Sequence, residues 1–106
     1  SKGQGSHYLY VVLLRGIVCG RNWNDIPDDE GFALYVGESS YCPEKRFKIQ
    51  LRGGRTSSPN VWKYGDRLLP SLYEHFNPFP KTYALLLEET LANFLKHEEI
   101  PTFGGH

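Results

Sequence analysis

From His7 to Leu14 the chain is apolar on both sides of a two-residue period. Tyr8, Tyr10, Val12 and Leu14 fall on one face, and Leu9, Val11 and Leu13 on the other. A strand apolar on both faces has to be covered on both, which predicts a central strand with helices against the sheet. Arg15 to Glu30 follow without a period, broken by Gly16, Gly20 and Pro27, in a connection longer than most hairpin loops. A functional loop and a variable insertion fit that stretch equally. Phe32 to Val36, bounded by Gly31 and Gly37, has strand composition with turn residues at both ends. It is expected to return antiparallel beside the first strand.

Pro43 suits the first position of a helix, where its missing N–H costs nothing, and this makes Cys42 the expected N-cap. Within that helix Arg46 and Gln50 are four apart and share a face, with Ile49 beside them. A tyrosine at the strand end, Tyr35, and the helix arginine are thereby aimed at one space. An anion site and a packed corner with a solvated arginine both fit. The stretch Arg52 to Asn60 carries two glycines, two arginines and three hydroxyls; it reads either as a donor-rich loop able to follow a phosphate backbone or as a plain connector. Val61 to Tyr64 reads as a helical turn stopped by Gly65. Leu68 to Glu74 reads as a third strand, confined to an edge by Pro70 and ended by Asn77-Pro78-Phe79-Pro80.

The most periodic element runs from about Thr82 to Glu98. With Ala84 at zero and about 100° per residue, Leu87, Leu91, Phe94 and Leu95 cluster within about 80° of it, an apolar stripe. Glu88 lands about 40° from Ala84, on the shoulder of that stripe, whereas Glu89 falls near Asn93 and Lys96 on the polar side. An unpaired carboxylate at that apolar boundary would be costly. The pattern as a whole predicts an α/β (α+β) domain: a small three-stranded, mainly antiparallel sheet flanked by helices. Residues 7–106 form that single domain, after a flexible end or vector-derived remnant at 1–6.

A chain of 106 residues has room for one modest core. No apolar run approaches a membrane span, and Cys19 and Cys42 give neither a disulfide framework nor a zinc spacing. The expectation is a reducing, cytoplasmic or nucleoid-associated setting, with no membrane and no disulfide-linked partner. Formal net charge is zero, which argues against indiscriminate coating of nucleic acid, but the charge is segregated. Between Glu44 and Arg67 stand Lys45, Arg46, Lys48, Arg52, Arg55, Lys63 and Arg67 against two acids, while Asp25, Asp28, Asp29, Glu30 and Glu38 precede that block. Such a segment suits a polyanion, and a solvated helix and loop would look similar. The four histidines form no metal spacing; His75 is expected to be structural.

The order of elements carries more than any one of them. Tyr8-Leu9-Tyr10, then Tyr35-Val36-Gly37, then Arg46, then Leu85-Leu86-Leu87-Glu88 resembles the GIY-YIG nuclease family over nearly the whole chain from Tyr8. Tyr10 falls at the tyrosine of the first triplet, Tyr35 and Gly37 in the second, Arg46 at the helix arginine and Glu88 at the metal-binding glutamate. The resemblance implies a metal-dependent DNA endonuclease. Glu88 would hold one divalent ion, Mg²⁺ or Mn²⁺, through a hard oxygen ligand. Arg46 would clamp the scissile phosphate. Tyr10 would be the base on water, given cations close to its hydroxyl, and Tyr35 would hydrogen-bond the phosphate or the water. DNA would meet Lys45, Lys48, Arg52, Arg55, Ser57 and Lys63.

The sequence departs from the family pattern at several points. Glu38 stands where a basic residue is frequent, Gln50 where several members have histidine, and Tyr8 in place of the first glycine. The C-terminus, Phe103-Gly104-Gly105-His106, lacks the usual asparagine. A catalytically weak or inactive nucleic-acid-binding module on the same scaffold is the alternative and a protein-interaction domain the third; the expected partners are DNA and a larger protein or complex.

Overall fold

A computed structural model describes residues 5–15, 32–55 and 57–104. The irregular connection expected after the first strand lies, from residue 16 to 31, outside the described residues, as do residues 1–4 and 105–106. The architecture is α+β. In chain order it runs β1 (Tyr8–Arg15), β2 (Phe32–Ser39), α1 (Pro43–Leu51), α2 (Pro59–Tyr64), β3 (Gly65–Leu68), 3-10 turns at Pro70–Leu72, Glu74–Phe76 and Lys81–Tyr83, α3 (Ala84–His97) and β4 (Thr102–Gly104).

Among the described residues the sheet has four strands, not the three expected, in the order β3-β1-β2-β4, and it is mixed. The antiparallel β1–β2 pair extends from Tyr8 opposite Ser39 to Arg15 opposite Phe32. Leu9, Val11, Val12 and Leu14 are all fully buried, so β1 is the central, doubly covered strand its composition demands. Strand β3 is an edge strand but earlier than expected, at Gly65–Leu68 instead of Leu68 to Glu74. The ladder reaches Leu69, whose N–H donates to the Val11 carbonyl at 2.9 Å. Pro70 has no N–H to continue it and opens a 3-10 turn instead. Beyond that point the Asn77 side chain takes over: its amide accepts from Leu9 N–H and donates to Leu9 C=O, both at 2.8 Å, standing in for a strand neighbour.

The fourth strand, β4, is parallel to β2, with Leu34 N–H donating to the Pro101 carbonyl at 2.8 Å. Three residues flanked by proline and glycine carry too little period to be read in advance. Helix α1 starts as its proline dictates, with Cys42 as N-cap in extended backbone. On α3 the buried positions are Ala84, Glu88, Leu91, Ala92 and Leu95. That stripe spans from about −20° to about 80° around the helix, so Glu88, at about 40°, lies near its middle and not on its shoulder. Phe94, expected in the stripe, is 57% exposed and lines an open apolar groove with Leu72, His75, Phe76 and Leu87. No helix among the described residues is long and apolar enough to cross a membrane.

Candidate active site

The two triplets meet through one diagonal of the β1–β2 ladder. Tyr10 stands opposite Gly37 and Tyr35 opposite Val12, so both tyrosines lie on one face, with ring centroids 6.2 Å apart. The Tyr10 ring runs across β2 at the point where Gly37 has no side chain. A Cβ there would come within 2.6 Å of both Cζ and Oη of Tyr10. The glycine of the second triplet is thus required by the tyrosine of the first. Tyr10 itself is only 2% exposed.

Gln50, one turn beyond Arg46 on α1, is 1% exposed and joins these rings to the loop after the helix. Its Nε2 donates to Tyr10 Oη at 2.9 Å, and its Oε1 accepts from the backbone N–H of Ser58 at 2.6 Å. Tyr35, half-buried, has its pKa pushed up to about 12. Burial is the main cause, the neighbouring Tyr10 and the Glu88 carboxylate add to it, and Gln50 and the Arg46 guanidinium oppose it. Tyr35 therefore remains a protonated phenol, a hydrogen-bond donor, throughout the ordinary pH range.

The same electrostatic neighbourhood shows which sequence-selected residues come together. Tyr10, Arg46 and Glu88, from β1, α1 and α3, all act electrostatically on the hydroxyl of Tyr35 on β2. Glu88 is 7% exposed, one of few polar side chains buried among the described residues. Glu89 is half-buried, less solvated than its wheel position implied.

The residues expected to meet DNA are placed differently. Lys45, Lys48 and Arg52 are exposed and fall within about 60° of one another around α1, while Arg46 lies about 100–160° away from them. The stripe therefore runs along the outer side of the helix from the tyrosine cluster. Arg55 and Lys63 are exposed as well. Ser57 is not on that surface; it is buried, and its hydroxyl donates to the Ile49 carbonyl at 3.2 Å, tying down the end of α1. Glu38 lies 3.7 Å from His7 in an ion-pair geometry.

A divalent ion would find one buried carboxylate here and no group of three His, Cys, Asp or Glu side chains among the described residues. That donor set suits Mg²⁺ or Mn²⁺, hard ions that keep several waters and take one or two carboxylates plus a phosphate. It does not suit a closed structural site of the zinc type. Sequence reasoning missed the part played by Gln50, which stood out only as a departure from histidine. Its one signal was the i, i+4 spacing from Arg46. No family model matches the chain, and neither does any curated protein or solved structure.

Proposed function

We propose that the chain is a metal-dependent DNA endonuclease hydrolysing phosphodiester bonds, as its resemblance to GIY-YIG nucleases implies. The observation that carries this reading is that a cation, a carboxylate and a second phenol, from three other elements, act on the Tyr35 hydroxyl, with the two tyrosine rings 6.2 Å apart. Hydrolysis forms a bond from water oxygen to phosphorus and breaks the bond to a sugar oxygen, which leaves with the electron pair. The water must lose a proton, the phosphate must be held, and the charge gathering on its oxygens must be offset.

In this reading Arg46 clamps a non-bridging phosphate oxygen. Tyr35, held protonated, donates to the phosphate or to the attacking water. Tyr10, as phenolate, accepts the water proton. Glu88 provides the hard oxygen for Mg²⁺ or Mn²⁺, and the ion, when bound, supplies positive charge at the phosphate and leaving oxygen. Lys45, Lys48, Arg52, Arg55 and Lys63 lie off the cluster and attract the duplex over a Debye length instead of gripping the scissile phosphate.

That separation, together with the enclosure of Tyr10, favours a second reading: a DNA-binding module of the same shape that does not cleave. A supercoiled-plasmid nicking assay with Mg²⁺ or Mn²⁺ separates the two. Nicking that EDTA abolishes and that Arg46→Ala removes supports the nuclease. Retarded but uncut plasmid across both metals supports the binding module.

A further inference from the structure

We infer that Gln50 is a positioning residue that fixes the direction of hydrogen bonding in the tyrosine cluster, turning the hydroxyl proton of Tyr10 away from itself. The inference rests on the nuclease reading for its consequence, but not for its geometry.

The argument begins at Ser58. A backbone N–H can only donate, so the Gln50 atom 2.6 Å from Ser58 N has to be the carbonyl oxygen Oε1. The amide then has one orientation available, and its NH₂ group faces the tyrosines. One of those N–H bonds reaches Tyr10 Oη at 2.9 Å. A phenol whose oxygen already accepts from Gln50 must point its own proton elsewhere. At 1% exposure the amide cannot exchange these partners for water, so the polarity set at the Ser58 backbone passes through Gln50 to the Tyr10 ring. A proton turned away from Gln50 is free to leave, and the amide donor then remains on the phenolate that accepts from water. A side chain able only to accept at this position would draw the Tyr10 proton inward and hold it there.

Gln50→Glu and Gln50→Leu test this as a pair. The carboxylate of Gln50→Glu still accepts from Ser58 N–H but can no longer donate, so it draws the Tyr10 proton toward itself. Gln50→Leu removes both functions. Amide hydrogen exchange reads the loop, and steady-state nicking reads the site. Gln50→Glu should retain the protection of the Ser58 N–H and the melting temperature to within a few degrees, yet lower kcat about a hundredfold with little change in KM. Gln50→Leu should lose the Ser58 protection as well. Restored turnover in Gln50→Asn or Gln50→His, the variants that keep an N–H donor, would add support.

A Gln50→Glu protein that cleaves like the parent would overturn the inference. So would side-chain N–H protons of Gln50 in the parent that exchange as fast as a free amide, since the network would then not exist. That second measurement needs no cleavage, so it decides the geometry even if the parent proves inactive and the nuclease reading itself fails.

Discussion

Gly37→Ala puts the link between the two triplets to the test. An alanine Cβ would stand 2.6 Å from Cζ and Oη of Tyr10 and 2.9 Å from Cε1, against an ordinary carbon contact of about 3.5–4.0 Å. The ring must therefore retreat by about 1 Å. With Tyr10 only 2% exposed there is no open space to retreat into, and overpacking of this kind costs about 1–3 kcal/mol. The retreat also stretches the 2.9 Å bond from Gln50, for about 0.5–1.5 kcal/mol more. The expected loss is about 2–4 kcal/mol in urea denaturation, within reach of the whole stability of a small domain. A double-mutant cycle isolates the cause. Tyr10→Leu removes every atom that the new methyl would strike, so Gly37→Ala in that background should cost under about 1 kcal/mol. Equal costs in both backgrounds would refute the steric reasoning.

Four further outcomes are expected. Reversing Arg52 and Arg55 to glutamate should weaken DNA binding and flatten its salt dependence without unfolding the domain, as a filter-binding titration across salt would read. Tyr73→Phe should stabilise the protein by about 1 kcal/mol, because the Tyr73 hydroxyl is buried with no hydrogen-bond partner among the described residues. Asn77→Ala should destabilise by about 2 kcal/mol, since it strands both backbone groups of Leu9; a loss of Leu9 amide protection would accompany it. Tyr35 and Tyr73 are both raised from 10.0 to about 12, so the folded state holds protons there that the unfolded chain has released. Unfolding free energy should then fall as pH rises through that window and be untouched by these groups below it, measured by denaturant midpoints at stepped alkaline pH.

What the sequence made legible follows from how local each signal is. The β1 and β2 strands, the Cys42–Pro43 helix start and the span of α3 rest on period and proline chemistry within one element, and they emerged close to their true bounds. Strand β3 was displaced because Leu68-Leu69 looked like the start of a strand. The ladder in fact ends at Leu69, with Pro70 and then Asn77 replacing it. Strand β4 depends on β2 for its existence and has no period of its own. On α3 the apolar stripe was centred on leucine and phenylalanine, but the sheet chose the side that holds Ala92 and Glu88 and left Phe94 outside. In the site, four side chains were visible as residues in order. The fifth, Gln50, was not, because its meaning lies in what its two ends touch, forty residues back and eight ahead.

The most direct test compares two neighbouring carboxylates. Glu88→Gln keeps the shape of a buried side chain and removes its charge; Glu89→Gln does the same one step round α3, on a half-buried position away from the middle of the buried stripe. In the Mn²⁺ nicking assay Glu88→Gln should cut about 10²–10³-fold more slowly while remaining folded by circular dichroism, and Glu89→Gln should stay within about twofold of the parent. Equal activities for the two folded variants would contradict the assignment of this cluster as a metal-dependent hydrolytic site.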